Sequence, residues 1–383
     1  MMQRGRNAEA LLLLIGTIVG AGMFGIPFVF ERAGFLTGAA LLVMLTAAAT
    51  LVHLAYAEVV SRTSEVHRLP GYVRLYLGRG AGWLATASYT FGLSGALLAY
   101  LVLGGSFLGA LIGWASPAAP AYAGPLAFYF FGVLVIARGI RFEGLADAIL
   151  TLGLVAAILL LGVTLLPAIQ PASLTEFHPG RLPIPYGVLL FSLAGAAIIP
   201  DLKRVLGPDG LPLLGKVVAS GTLISAGLYL IFAVAVVGAT GAATTPDAIS
   251  GLAASFDTPY LIFGNVIGVL ATITSFIALG VVFEGMLVSD FRFGPRPAWL
   301  VTAAIPAALY LLGFRDFIAI ISLIGALAIG LDSLLILFTH ARAAKLAHRG
   351  ALHISMPGIV RILLMFIFAA GVLYEFFSFA IAR

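Results

Sequence analysis

The chain has no cysteine, which excludes disulfides and thiolate metal sites. Charge is nearly as scarce. Asp, Glu, Lys and Arg together make up 10% of the 383 residues. A soluble surface needs far more, so a soluble domain is excluded. No HExxH or GxSxG motif occurs, and no Ser/His/Asp set is evident, so a hydrolase has no visible machinery. What is present is apolar: 61% of the residues are hydrophobic and the mean hydropathy is +1.12. At about 20 apolar residues per crossing, the length allows around a dozen membrane helices. The net charge of +5 does not point to nucleic acid; its placement along the chain is more informative.

Hydropathy gives one polytopic membrane domain over 1–383, with eleven spans at 9–30, 35–60, 82–113, 122–137, 143–167, 184–205, 213–239, 258–288, 297–313, 316–338 and 358–381. The third and eighth are long and are expected to tilt. The first run follows Arg4 and Arg6 as a signal peptide would. It lacks a small-residue cleavage site and continues through Pro27, so it reads as a span. With the N-terminus in the cytoplasm, every Lys and Arg falls on the inner side except Arg32, Arg181, Arg315 and Arg383. That asymmetry sets the orientation, with the C-terminus outside. It also makes the basic residues topology signals rather than a binding patch.

The rest of the chain is organised around Gly16-Thr17-Ile18-Val19-Gly20-Ala21-Gly22-Met23-Phe24-Gly25-Ile26-Pro27 in span 1. Glycine costs a helix about 1 kcal/mol per residue and proline about 3. Four glycines and a proline predict a helix that opens near the middle of the membrane. Backbone groups freed there must be covered by protein or line a wet cavity. They are suited to holding a small zwitterion and a cation. Two other readings compete. Gly20 to Gly25 fits the dinucleotide pattern G-x-G-x-x-G, but no strand precedes it and no acid follows about 20 residues on. Gly16 and Gly20 also form a GxxxG helix-packing pair.

Span 6 repeats the pattern: Phe191-Ser192-Leu193-Ala194-Gly195-Ala196-Ala197-Ile198-Ile199-Pro200-Asp201. Spans 1 and 6 take matching places in two blocks of five, 9–167 and 184–338, with opposite orientations; span 358–381 lies outside the repeat. Interrupted helices in corresponding halves are a sequence pointer to a transporter site.

The span-1 stretch resembles the first-helix signature of amino acid permeases of the APC superfamily, closest to the amino acid/auxin permease and bacterial aromatic amino acid permease group. Phe191 to Asp201 is similar to that group's sixth helix, which ends in Pro-Glu or Pro-Asp. Ala99 to Gly105 is similar to its third. The resemblance covers nearly the whole chain in span order. It implies an all-α membrane protein of the leucine-transporter (LeuT) fold: a 5+5 inverted repeat with eleven transmembrane helices, helices 1 and 6 unwound at mid-membrane, working by alternating access.

An amino acid's carboxylate needs N–H donors and positive potential, which the half-helix after the first break supplies through Ala21, Gly22 and Met23. Its ammonium needs carbonyls, available from Ile18 or Val19 and from Phe191, Ser192 and Ala194. Gly195 allows close approach. Tyr100 could bond the carboxylate, or be a packed aromatic with its hydroxyl on a backbone carbonyl. Phe191 is placed to line the side-chain pocket, although Phe in a membrane span is mostly packing. For the cation, the resemblance implies a sodium site of Gly16, Val19, Ala271, Thr274 and Ser275. Without it, Thr274 and Ser275 read as hydroxyls bonding back to the preceding turn. Proton coupling is the alternative, and an intramembrane acid is its default sign. The acids are Glu58, Asp147, Glu284, Asp332 and Glu375. Most lie near span ends, where water or a basic loop residue solvates them; Asp332 and Glu284 are the exceptions.

His53 is alone in span 2. His340, His348 and His353 share a basic loop and fit no metal pattern. Arg62 to Gly82 is expected to hold a short interfacial helix, and Gly238 to Pro259 an extracellular lid. Asp201, Lys203 and Arg204 read as a solvated helix end, with a pairing to Arg4 or Arg6 as an inner gate the other possibility. The expectation is a monomeric, sodium-coupled importer of neutral, bulky or aromatic amino acids in the inner (plasma) membrane. It has small-molecule and lipid partners only, no cofactor and no enzymatic activity. A channel lacks the polar stripe it would need; a non-transporting amino acid sensor stays open.

Overall fold

The computed structural model describes residues 2–138, 145–256, 258–345 and 352–381. Among them every regular element is helical and none is a strand. The helices are α1 (Met2–Ile18), α2 (Gly22–Ala33), α3 (Phe35–Arg62), α4 (Leu69–Leu77), α5 (Arg79–Ala115), α6 (Ala123–Ala137), α7 (Leu145–Leu165), α8 (Pro183–Ser192), α9 (Ile199–Gly210), α10 (Leu214–Thr240), α11 (Ile249–Ser255), α12 (Thr258–Ser289), α13 (Pro295–Leu311), α14 (Phe317–Leu323), α15 (Gly330–Ala343) and α16 (Gly358–Ile381). A π-helical turn, Ile324–Ile329, joins α14 to α15.

Among the described residues, seven helical stretches are long and apolar enough to cross a bilayer, and eight when α1 and α2 count as one bent span. Hydropathy segments the same chain more finely. The difference arises where 183–243 runs through α8, α9 and α10 as one apolar stretch, and where α6 and α13 have only 15 and 17 residues. The outward surface is apolar, with Val43, Phe130, Val163 and Phe366 all more than half exposed. No soluble monomer carries such a belt; a hydrocarbon environment accepts it.

Packing follows the small residues. α5 runs against α12, α6 and α4, while α10 lies against α3, α7 and α1. Gly104 on α5 has no room for a Cβ, which would stand 2.6 Å from Thr272 Oγ1 and overlap the Phe128 ring. A Cβ on Gly105 would stand 2.8 Å from Pro125 Cα. Close backbone approach of this kind substitutes for hydrophobic burial where lipid is the solvent. The same logic sets the break region: glycine sits where one backbone leans on another.

Helix is lost at both stretches whose composition disfavours it. Val19, Gly20 and Ala21 lie outside helix, and α1 and α2 meet at 51°. Leu193 to Gly195 separate α8 from a 3-10 turn at 196–198 that leads into α9, where Pro200 takes the first-turn position that tolerates a missing N–H. The short helix expected between Arg62 and Gly82 is α4, with Pro70 in its first turn. In the expected lid, Asp247 accepts from Thr245 Oγ1 (2.6 Å) and from Ser250 N (3.2 Å) ahead of α11. Arg141, Arg349, His348 and Arg383 lie outside the described residues, as do the side chains of Arg4 and Asp147.

Candidate functional site

The two breaks face each other. A Cβ on Gly22 would stand 2.5 Å from Ser192 Oγ and 2.8 Å from Ser192 Cα; one on Gly195 would stand 2.9 Å from Ile18 Cδ1. Tyr229 on α10 ties them together, its hydroxyl lying 2.5 Å from Ile18 O and 2.7 Å from Ser192 O. Beside them is a cavity of about 110 Å³, several times the space one water needs. Of the residues expected to hold substrate, Ile18, Gly22, Tyr100, Phe191, Ser192 and Ala194 line it; Val19, Ala21, Met23 and Gly195 do not.

Backbone bonding sorts the expected donors and acceptors. Met23 N–H is taken, donating to Gly20 O at 3.3 Å. Ala21 and Gly22 N–H find no backbone acceptor among the described residues. On the carbonyl side, Ile18 O accepts from Gly20 N (2.8 Å) as well as Tyr229, and Phe191 O accepts from Ala194 N (3.2 Å). Gly16, Val19 and Ala194 carbonyls have no backbone donor among the described residues. Buried backbone groups left this way need a partner from elsewhere.

The oxygens expected around sodium are partly dispersed. Ser275 Oγ is buried beside the Tyr100 hydroxyl with no well-formed hydrogen bond among the described residues, and a Cβ on Gly20 would stand 2.8 Å from it and 3.4 Å from Tyr100 Oη. Thr274 donates back to Leu270 O (2.9 Å) and approaches Ala271 O (3.2 Å), as hydroxyls in helices do. Its lone pairs remain available. Gly16 lies against Thr151 on α7, whose side chain fills the space a Cβ would take.

Three further polar residues line the cavity: Thr17, which sequence patterns did not pick out, Asp332, which they did, and His53, named there without a role. Thr17, one turn before the first break, lines the cavity and donates to Leu13 O (2.8 Å). Asp332 also lines it, with a buried Oδ1 that has no partner. His53 lines it too and bonds the second break directly. As an ionisable side chain well inside its span, it carried the general signal for a functional residue inside a membrane.

In the first turn of α9, Asp201 is not a solvated helix end, and Arg6 is not its partner. Arg68, just before α4, donates Nη1 to Asp201 Oδ2 (2.5 Å) and Nη2 to Oδ1 (3.5 Å), and Nη1 also reaches Ala197 O (3.2 Å). Arg204 pairs with the same carboxylate. The next residue after Arg68, Leu69, lines the cavity, so this ion pair sits under one end of it. Lys203 caps the end of α3 by donating to Val60 O (3.2 Å) and Thr63 O (2.5 Å).

Glu58 takes the second of its two expected partners, a basic residue just past the span end, rather than water. It is fully buried and accepts from Arg62 Nε (2.8 Å), His340 Nε2 (3.0 Å) and Ile354 N (2.7 Å). His340 is therefore buried rather than part of a solvated loop, while His353 stays exposed at the edge of the cluster. Glu284 and Glu375 are half-buried and lie apart from the cavity wall.

Comparison with known proteins gives this geometry a lineage. A sequence profile described as "Tryptophan/tyrosine permease family" matches residues 6–377. The chain belongs to the tryptophan/tyrosine permease family. Both breaks, the cavity and the Arg68–Asp201 pair fall within the matched residues. The permease is also similar to Glutamine transporter 2 of Aliivibrio fischeri (strain ATCC 700601 / ES114), at 24% identity over 230 residues. That alignment spans 59% of this chain and 59% of the relative's length.

Proposed function

We propose that the protein is a secondary active transporter that imports neutral, bulky or aromatic amino acids by alternating access. The observation that carries the reading is the pair of helix breaks meeting at one cavity. Gly22 N–H and Ala194 O, which line the cavity, and Ala21 N–H and Val19 O, which lie beside it in the first break, lack backbone partners among the described residues. A zwitterion supplies both complements: a carboxylate for the amides at the start of α2, an ammonium for the carbonyls. Family membership and the transporter relative support amino acids as cargo. In this reading the eleven hydropathy segments form two inverted five-helix repeats, 9–167 and 184–338, with 358–381 outside them. The protein is a monomer in the inner membrane, its N-terminus cytoplasmic and its C-terminus outside, following the Lys and Arg bias.

Sodium is the coupling ion in this reading, held by Gly16 and Val19 carbonyls, Ala271 O and the hydroxyls of Thr274 and Ser275. The poorly bonded Ser275 hydroxyl beside Gly20 supports it. Proton coupling is the second reading, favoured by Asp332, an acid in the cavity wall with a partnerless oxygen.

Counterflow of labelled amino acids into proteoliposomes, after a thermal-shift screen of the twenty amino acids, tests the function. Saturable exchange of aromatic or other neutral amino acids is expected. Binding without exchange would leave a sensor. Uptake with and without a sodium gradient at fixed pH separates the two ions.

A further inference from the structure

His53 is 4% exposed, in the middle of α3, with both ring nitrogens engaged. Gly195 N lies 3.3 Å from Nε2, and a backbone N–H can only donate, so Nε2 accepts. Thr222 Oγ1 lies 3.1 Å from Nδ1. The one hydroxyl proton of Thr222 points to Val218 O at 2.9 Å, so Thr222 accepts here and Nδ1 carries the hydrogen. The chain of donors runs one way: Gly195 N–H to His53, His53 to Thr222, Thr222 to Val218. It fixes the imidazole as the neutral Nδ1–H tautomer. It also ties the unwound stretch of the second break to α3 and α10 at once.

We propose that His53 is a positioning residue of the substrate site, holding Gly195 and therefore the Ala194 carbonyl in place only while its Nε2 is unprotonated. The inference rests on the transport reading above and adds to it the residue that sets the shape of the second break. Protonation at Nε2 would turn the acceptor into a donor facing the Gly195 N–H, and the contact would become repulsive. The stretch would then be free to leave the conformation that lines the cavity. Ala194 and Ala196, which line it, flank Gly195 in sequence.

Other titratable groups lie on the elements packed against α3. On α15, His340 is bound to Glu58, whereas Asp332 lines the same cavity as His53. On α10, the Tyr229 hydroxyl is held by Ile18 and Ser192 carbonyls, and Lys216 is exposed. On α9, Asp201 is paired with Arg68 and Lys203 is bound to carbonyls at the end of α3. Glu31 and Arg32 on α2 pair with each other, and Tyr186 on α8 donates to Ile367 O. Asp332 is therefore the group whose titration must be separated from that of His53.

The experiment is amino acid counterflow in proteoliposomes from about pH 4 to pH 8, a range wide enough to reach a buried histidine as well as an exposed one. The proteins are the wild type, His53→Gln, His53→Leu and Asp332→Asn, each with its melting temperature. A glutamine side chain can present a carbonyl oxygen to Gly195 N–H but does not titrate; leucine can do neither. For the wild type, KM should rise as pH falls while Vmax changes less. His53→Gln should keep a near wild-type KM at high pH and lose the rise. His53→Leu should show KM raised about fivefold to tenfold at all pH values, the scale of one lost hydrogen bond. Asp332→Asn should retain the pH profile. The proposal is overturned if His53→Gln is as impaired as His53→Leu. It is equally overturned if His53→Gln keeps the pH profile that Asp332→Asn removes, or if His53→Leu exchanges substrate with wild-type KM. Those failures leave transport standing. A wild type that exchanges no amino acid ends the transport reading and this inference with it.

Discussion

The break between α1 and α2 and the break between α8 and α9 interrupt apolar runs with glycine and small residues, yet they are finished differently. The second is bound to its surroundings: His53 holds Gly195 N–H, Tyr229 reaches Ser192 O, and Arg68 reaches Ala197 O. The first is bound on one side only. Tyr229 reaches Ile18 O, but Ala21 and Gly22 N–H and the Gly16 and Val19 carbonyls keep no backbone partner among the described residues. Ser275 Oγ, also without a well-formed hydrogen bond, faces it. Backbone left open in a buried region costs about 1–3 kcal/mol per group unless something satisfies it. The contrast gives most of the open groups to the first break, with Ala194 O the second break's share, and makes the rest of the second break the scaffold that shapes the cavity.

The strongest way to break this division is to remove the contact between the two breaks. A Cβ at Gly22 meets Ser192 Oγ and Cα at 2.5 and 2.8 Å, and the Cα is backbone that has nowhere to go. Gly22→Val is expected to abolish counterflow and to destabilise the fold by about 1–3 kcal/mol, as overpacking does. Gly113, where a Cβ would meet nothing within 4 Å, is the control. Its change to Ala should leave both exchange and melting temperature near wild type. If Gly22→Val exchanges amino acid at the wild-type rate, the breaks do not form the site.

Next in size is the ion pair under the cavity. Arg68 and Asp201 side chains are 16% and 18% exposed, so screening by water is limited but not absent. Arg68→Ala leaves Asp201 with only Arg204 and should cost about 1–3 kcal/mol, toward the lower end of what breaking buried pairs does. A double-mutant cycle with Asp201→Asn should show coupling of about 1 kcal/mol or more, measured by chemical or thermal unfolding in detergent. Additive effects would make the pair a surface contact with no part in closing the cavity.

Tyr229→Phe sharpens the comparison further, because one hydroxyl serves both breaks. Removing it should cost about 1–2 kcal/mol. It should also raise KM more than it lowers Vmax, since the Ile18 and Ser192 carbonyls lose a shared anchor. A change in melting temperature without a change in KM would make Tyr229 a packing residue.

These assignments also mark what a sequence can disclose. The breaks were legible because glycine and proline act on the chain within a turn of themselves: Gly20, Gly22 and Gly195 disfavour helix wherever they are placed. Tyr100, Phe191 and Ala194 followed from their depth in spans whose order was clear. The partners were not legible, because they lie far along the chain. His53 is 142 residues from Gly195, Tyr229 is 211 from Ile18, Arg68 is 133 from Asp201 and Glu58 is 282 from His340. No periodicity links positions that far apart. A lone histidine or tyrosine in an apolar run reads as packing until its neighbours are known. Charge placement near span ends was too simple for Asp201, which reads as a solvated helix end. For Glu58 it allowed a basic loop residue, which Arg62 is, but it did not anticipate that α4 and residues 352–357 fold back over those ends.

The smallest effect on stability separates the breaks most cleanly. Thr274 already satisfies its hydroxyl proton on Leu270 O, whereas Ser275 Oγ, beside the Tyr100 hydroxyl, makes no well-formed hydrogen bond among the described residues. Deleting a buried hydroxyl so poorly bonded relieves most of its desolvation penalty, so Ser275→Ala should change stability by less than about 0.5 kcal/mol, or raise it. If that oxygen is kept for a cation at the first break, the same change should remove the dependence of uptake on a sodium gradient. Thr274→Ala should weaken that dependence and also cost about 0.5–1.5 kcal/mol from its lost back-bond. Sodium dependence unchanged in both variants would take the cation away from the first break, leaving Asp332 as the acid in the cavity wall to test as the carrier of a coupling proton. Asp332→Asn should then abolish uptake driven by a proton gradient while sparing exchange at equal pH on both sides. Loss of sodium dependence in Ser275→Ala, with the melting temperature unmoved, would mean that the open groups of the first break are held open for an ion and a substrate together.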